Sequence, residues 1–582
     1  MNAPIGHLRG SSLGIVLFLL TTLVACQPAA RPAAPVAPAA AQPEQAAAAP
    51  AVPLQKKTLV IATSRDHTLM GHFGTAQTDA EVSDIVYAGL VRKNALTLTD
   101  DPWLAQEVPS RDRGTWIVNA DGTMVTTYKL RPNLTWHDGT PLSSKDLVLG
   151  WEMAIDPRTG FGEPSVAKTI TRVETPDDQT LVLHWKETYR RADAVYRNRL
   201  MPVPRHLFEE MYRAGQVEQI LNHPNWTSAS FVGNGPYKIV HWDQGQVLEL
   251  EAFDQYALGK PRIDRIEWRF IFDVNTVLAN VLSNNVDVVL REAYNFDTAL
   301  IAKQQWESRG NGQVLFTPVT IQWVNLTPLN PWLVDPRVRR GLMHAINRQE
   351  MTETLSQGLE PVAHIPLPPK RPQYERALAA ATKYDYDPTR ARQLLTEAGW
   401  SPGADGILVN GRGERFAIDA RAVRNDVMQS QAATVDYWKR VGVETQINNI
   451  SSRQESAEEY RGRWSGAFWQ SASVSVESWI NRFGTANIPA AETRWFGDNQ
   501  TRWADPAKEA VLQELEQTFD PRRADDLIVD FSRLYSEQLP DLPLRYLAEV
   551  MSVRKGVVNL HPRAELGGQN TRTWNAEQWD WN

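Results

Sequence analysis

Residues 125–130 alternate with period two. Val125, Thr127 and Lys129 interleave with Thr126, Tyr128 and Leu130 in the pattern of a half-buried strand. Asp138-Gly139-Thr140-Pro141 then supplies turn chemistry. After the turn the period changes. Leu147, Val148, Trp151 and Ala154 recur at helical spacing, Ser143 or Ser144 stands where a cap is needed, Asp146 lies in the first turn, and Asp156-Pro157 ends the segment.

The same reading extends in both directions. It predicts a strand over 57–63, a helix over 80–90 with Val82, Ile85, Val86 and Leu90 on one face, strands over 180–184 and 265–270, and a helix over 274–282. Further on, Val338, Leu342, Ala345 and Ile346 share one helix face, and Asp387-Pro388 opens another helix. A strand over 416–422, a helix over 426–441 with Met428, Ala432, Val435 and Trp438 inside, and a strand over 443–447 follow. Helix and strand alternating in this way predict an α/β architecture.

The start of the chain changes the picture from fold to location. Arg9 precedes an apolar run from Leu13 to Leu20 and then Leu23-Val24-Ala25-Cys26. A basic start, a short apolar core and small residues before a cut site have the layout of a secretory signal, and the run is short for a membrane span. Leu-Val-Ala-Cys also resembles the bacterial lipobox, in which the cysteine becomes the lipidated first residue. Cys26 is the only cysteine in 582 residues, and an unpaired thiol in the body of an exported protein would be a liability. Residues 1–26 are therefore read as a lipoprotein signal. Residues 27–56, dominated by Ala, Pro and Gln, read as a disordered tether that at ~3.1 Å per residue reaches on the order of 80 Å.

The remaining chain is long enough for two or more large cores. A net charge of −7 and the lack of a basic block with interleaved aromatics argue against nucleic acid. No H-E-x-x-H, EF-hand loop or Cys/His nucleophile pair is present, so no enzyme activity, metal or cofactor is expected. Gly233-Asn234-Gly235 lacks the Lys-Ser/Thr ending of a phosphate loop and leads into a strand. His137-Asp138 is read as turn stabilisation, and Asp177-Asp178 and Glu458-Glu459 as solvated faces. Glycosidase carboxylates come from distant positions, which leaves an exported glycoside-active enzyme or a ligand-sensing lipoprotein as an alternative class.

Several motifs together resemble the family 5 extracytoplasmic solute-binding proteins, the dipeptide and oligopeptide receptors of ABC importers. They are the strand, D-G-T-P turn and capped helix of 125–157, Tyr87-Ala88-Gly89-Leu90, Pro102-Trp103-Leu104-Ala105, Met201-Pro202-Val203-Pro204, and Val232-Gly233-Asn234-Gly235-Pro236-Tyr237. Asp335, Arg337, Val338, Arg339, Leu342, Ala345, Ile346 and Arg348 match a further family helix, with Asn347 in place of the usual acid. The segment from Gln538 to Tyr546 resembles the family's return to its first lobe.

The resemblance implies a two-lobed periplasmic-binding-protein fold of the Venus-flytrap type, hinged by two connecting segments. Lobe I would span 57–319, lobe II 320–540, and 541–582 would return to lobe I. It implies a monomeric receptor outside the cytoplasm, tied to the membrane by its lipid alone, that passes a small solute to ABC permease subunits.

The choice of solute turns on one loop. In peptide receptors of the family, an acid that follows a Trp in lobe II holds the ligand's ammonium, a group that must not be dehydrated unpaired. Trp469 matches that Trp, but Ala472 or Ser473 stands where the acid is expected, and Glu477 is the nearest carboxylate. Two ligands follow: an oligopeptide held in another way, or a neutral oligosaccharide. For the sugar, Trp323, Trp469 and Trp479 would serve as stacking faces and Gln470, Ser471 and Ser473 as hydrogen-bonding groups, while Arg424-Asn425 could hold an anionic group.

Overall fold

The computed structural model describes residues 56–66, 70, 77–161, 164–290, 293–423, 425–455, 462–473, 475–566 and 570–582. The signal, Cys26 and all of the tether but Lys56 lie outside them. Strand β1 (Thr58–Thr63) leads to helix α1 (Gln77–Val86). A separate four-stranded antiparallel sheet follows, built from β2 (Trp116–Val118), β3 (Met124–Lys129), β4 (Ile170–Asp177) and β5 (Thr180–Trp185) in the order β2-β3-β5-β4. Helix α2 (Ser144–Ile155), between β3 and β4 in the chain, carries a full capping box: the Ser143 hydroxyl faces the first-turn N–H groups, and the Asp146 carboxylate accepts from the Ser143 N–H at 2.8 Å.

The large sheet has ten strands. Strands β6 (Tyr237–Asp243), β7 (Val247–Ala252) and β8 (Arg265–Phe270) form an antiparallel edge, and β8 runs parallel to β1. Strand β9 (Val288–Val289) joins β1 to the long pair β10 (Gly312–Leu326) and, later in the chain, β14 (Asp541–Arg554). The other end holds β11 (Ala417–Arg421), helix α3 (Asn425–Arg440), β12 (Glu444–Ile447) and β13 (Ala467–Ser473), and helix α4 (Pro521–Gln538) precedes β14. Sheet order is β12-β11-β13-β10-β14-β9-β1-β8-β7-β6.

Two lobes meet on the long pair. One core gathers apolar residues between Leu59 and Leu290 with others between Met551 and Trp579; two more cores are built from residues between Ile321 and Tyr546. β10 and β14 pair antiparallel from Gly312↔Arg554 to Asn325↔Asp541, with register shifts between Pro318 and Thr320 and between Gln322 and Trp323. The α/β, two-lobed fold is thus the one the sequence implies.

Two helices depart from their sequence pattern, for local reasons. The helix expected over 80–90 ends at Val86 because the glycine bend at 233–235 takes over its last carbonyl: the N–H groups of Asn234 and Gly235 donate to Val86 O at 3.2 and 3.0 Å. Asn234 completes the clasp, its Oδ1 accepting from the Ala88 N–H at 2.9 Å and its Nδ2 donating to Ala88 O at 3.2 Å. The approach needs glycine, since a Cβ at Gly235 would lie 2.4 Å from Tyr87 N. His137 locks the same bend by accepting from the Gly233 N–H at 3.2 Å and facing Gly235 O at 3.1 Å, so Nε2 carries the donated proton. Burial lowers its pKa to about 4, which keeps it neutral. The second departure is the helix over 335–348, which breaks at His344; Asn347 caps a new helix, Arg348–Ser356, by accepting from the Glu350 N–H at 3.1 Å.

Candidate functional site

A cleft cavity of about 1210 Å³ lies where the two lobes meet across β10 and β14. One side is lined by Ser64, Arg65 and Tyr294–Asp297 of the first lobe, the other by Leu355, Gln429 and Ser471–Ser473 of the second; Val319, Thr320 and 547–550 form its base. The size is that of a large ligand pocket. Its charged groups are held in place. Glu360 accepts from Arg545 Nη1 at 2.6 Å and from the Ala548 N–H at 2.8 Å, while Arg545 Nε donates to Gln322 Oε1 at 3.1 Å. Glu549 takes both Nε and Nη2 of Arg563, at 3.0 and 2.5 Å.

A side cavity of about 390 Å³ shares Ser471, Ala472 and Ser473 with the first and extends into the second lobe. Trp323, Trp469, Gln470, Arg482, Glu455, Asp498 and Gln500 are in its wall. The guanidinium of Arg482 lies 3.4 Å from the centre of the Trp323 ring and 3.7 Å from Asp541. Burial raises the Asp541 pKa to about 6 against the pull of Arg482 and the Tyr535 hydroxyl.

The structure brings Trp323, Trp469, Gln470, Ser471 and Ser473 together on β10 and β13, around these two cavities. Gln470 accepts from Asn325 Nδ2 and donates to Glu455 at 3.5 Å. The tryptophans offer less than the sequence suggests. Trp323 and Trp469 are each 1% exposed, the first covered by Arg482 and the second packed on Trp438 with ring centres 5.5 Å apart. The expectation that Trp479 presents a stacking face is corrected: it is fully buried, stacked 4.3 Å from Phe531, and its Nε1 donates to Pro366 O at 3.0 Å. Core packing has taken its faces. Glu477 is separated from the group and lines a different interlobe cavity. Arg424 lies outside the described residues. Asn425 begins α3, and nothing of its side chain is described.

Sequence reasoning passed over Glu360, Arg545, Glu549 and Arg482. A signal existed for two of them. Arg545 and Glu549 sit four apart inside the otherwise apolar run 542–551 of the strand, and charges at such positions are kept only where partners wait. Glu360 and Arg482 come from loop and short-helix positions with no comparable mark.

Among the described residues, no group of three or more His, Cys, Asp or Glu could hold a metal ion, and no helix is long and apolar enough to cross a membrane.

Comparison with known proteins follows the same geometry. Residues 101–487 match the model of the bacterial extracellular solute-binding proteins, family 5, middle region. The chain belongs to that family. This solute-binding protein is 24% identical over 414 residues to the oligopeptide-binding protein AppA of Bacillus subtilis (strain 168), a match covering 69% of this chain and 71% of the relative. It is 25% identical over 426 residues to the glutathione-binding protein GsiB of Pectobacterium atrosepticum, covering 71% and 75%. The crystal structure of an oligopeptide-binding protein from Thermus thermophilus with a pentapeptide superimposes with a TM-score of 0.66 at 24% identity, over 90% of this chain and 96% of that one. The family consists of extracytoplasmic binding proteins rather than enzymes, and this member is a solute receptor of the ABC-importer type.

Proposed function

We propose that this receptor captures an oligopeptide-type ligand between its lobes and delivers it to an ABC permease while anchored to the membrane by a lipid on Cys26. The observation that carries the reading is the cavity of about 1210 Å³ lined from both lobes and floored by the paired strands. A ligand there gains contacts from both sides only when the lobes are closed, so binding favours closure. The relatives named for oligopeptide and glutathione bear on ligand class in the same direction. The oligosaccharide alternative loses its main support, because Trp323, Trp469 and Trp479 are covered by other protein groups.

The lobe limits 57–319, 320–540 and 541–582 belong to this proposal, supported by the register shift that falls between Pro318 and Thr320. Anchoring rests on Leu23-Val24-Ala25-Cys26 and on Cys26 being the only cysteine.

Thermal shift against peptides of two to nine residues and against neutral oligosaccharides tests the ligand class. A ligand at 100 times its dissociation constant stabilises the native state by ~2.7 kcal/mol. Stabilisation by peptides and none by sugars is expected; the reverse would overturn the reading. For the anchor, Cys26→Ser in cells should move the protein from the membrane fraction to the soluble extracytoplasmic fraction, and unchanged partitioning would exclude lipidation.

A further inference from the structure

The second lobe meets the return segment at a charged seam beside the main cleft. Arg371 of the second lobe pairs with Glu565 at 2.5 Å, their side chains 10% and 3% exposed. Each is fixed to its own lobe. Arg371 Nε donates to Gln373 Oε1 at 3.3 Å, and Gln373 Nε2 donates to Asp525 of α4 at 2.7 Å. Glu565 accepts from Asn570 Nδ2 at 3.2 Å, and the N–H of its neighbour Ala564 donates to Ala95 O of the first lobe at 2.8 Å. The pair therefore crosses from one lobe to the other.

A second attraction crosses in the opposite sense. Glu477 of the second lobe lines an interlobe cavity of about 400 Å³ together with Arg371, Glu565 and the first-lobe cations Lys93 and Arg191. Burial alone would raise the Glu477 pKa, but Arg371, Lys93 and Arg191 outweigh it and hold it down to about 2. Lys93 and Arg191 also pair with Asp100, at 3.2 and 2.8 Å. Arg371 is thus the cation that two carboxylates share. Burial and the nearby Glu477 raise the Glu565 pKa, and Arg371 opposes them.

Desolvating an ion pair costs about as much as the mutual attraction returns, so the pair itself does little to favour lobes in contact over lobes apart and hydrated. Contact with one member missing is different, because the remaining charge is then buried without its counterion. Such a pair selects a position. Attraction comes from elsewhere, as in the edge-on contact of Trp116 with Phe519 at 5.1 Å. Leu566, next to Glu565, lines the main cavity, so the selected position also sets a wall of the cleft.

We propose that Arg371 is a registration point for closure, a positioning residue that lets the lobes of the unliganded protein meet in one place by neutralising Glu565 of the return segment and Glu477 of its own lobe. The proposal rests on the two-lobed fold and is independent of the ligand class.

X-ray scattering by the whole chain without added ligand tests it, on wild type, Arg371→Gln, Glu565→Gln and the double variant. Wild type is expected at the radius of gyration of the structure described above. Arg371→Gln leaves two carboxylates facing each other across the seam, and the largest radius is expected there. Adding Glu565→Gln removes one of them, so the double variant should return most of the way to the wild-type radius. Glu565→Gln alone, in which Arg371 keeps Glu477, should change the radius least. Rescue of one neutral substitution by another is what a packing role would not give, since losing a second buried contact only loosens a fold further. Should Arg371→Gln melt early, the same order is expected in the melting temperatures, with the double variant above the single one. A wild-type radius already that of separated lobes, an unchanged radius in Arg371→Gln, or a double variant as open as Arg371→Gln would overturn the proposal.

Discussion

Two sets of charges flank the same cleft and are built on opposite principles. In the first, Glu81, Glu549, Arg563 and Arg572 form a buried network that ties the C-terminal segment to α1: Arg572 Nε donates to Glu81 Oε1 at 3.0 Å, the Arg572 N–H donates to Glu81 Oε2 at 2.9 Å, and Arg563 grips Glu549 with two hydrogen bonds. All four side chains are 3% exposed. In the second, Lys93, Arg190, Arg191, Arg371 and Glu477 face an open space between lobes, and Glu477 is held ionised by the cations around it. Desolvated charges survive only when each is paired and hydrogen-bonded, so the first set can do nothing but hold its shape. Charges facing one another across a gap can be rebalanced by closure or by a ligand. The contrast locates rigidity beneath the main cavity and adjustability beside it.

The sharpest way to break the comparison is to remove one member of the buried, ion-paired set. Glu81→Ala would leave Arg572 buried without its main partner, and a loss of about 3–5 kcal/mol is expected in urea denaturation. A loss below about 1 kcal/mol would mean that the network is hydrated and no more rigid than the other. Next in size is Asp541, buried beside Arg482 and the Tyr535 hydroxyl. Its folded pKa of about 6 lies above the ordinary 3.8, so its contribution is fully present below about pH 4 and is lost as pH rises through 6. The stability difference between wild type and Asp541→Asn should therefore change by about 2–3 kcal/mol between pH 4 and pH 7. A difference flat across that window would show that the carboxyl is ionised throughout.

The two regions were not equally legible in the sequence. Alternation over 125–130, the Ser143 cap, and the glycine bend at 233–235 are local patterns with one physical solution each, and they carried the fold. The buried network could not be read, because Glu81 and Arg572 lie far apart in the chain and each alone resembles a surface residue. The adjustable set was half visible: Glu477 drew notice as the carboxylate nearest a loop without its expected acid, but Arg190 and Arg371 come from segments with no periodic signal. Tryptophan misled most. Its broad face suits a ligand and a core equally, and Trp479 went to the core, against Phe531.

Smaller effects sharpen the comparison at the edge of the adjustable region. Trp116 of the first lobe meets Phe519 of the second edge-on at 5.1 Å, and Arg111 lies 5.0 Å from the same Phe519 ring. Such contacts are worth about 0.5–1.5 kcal/mol. Phe519→Ala should shift the unliganded protein toward an open form, seen as a larger radius of gyration by X-ray scattering; an unchanged radius would show that the contact does not hold the lobes together.

The smallest effect is expected at Glu477. Its folded pKa of about 2 lies below the ordinary 4.5, so its attraction to Arg371, Lys93 and Arg191 is present above about pH 4.5 and is lost as pH falls through 2. The group is exposed, and solvent screening limits the stability involved to no more than about 1 kcal/mol. Glu477→Gln should therefore cost little at neutral pH, and most of that cost should vanish in high salt, whereas the cost of Glu81→Ala should be nearly indifferent to salt because no ions reach it. Equal salt dependence in the two variants would erase the distinction between a buried, ion-paired network and an adjustable set that faces an open space.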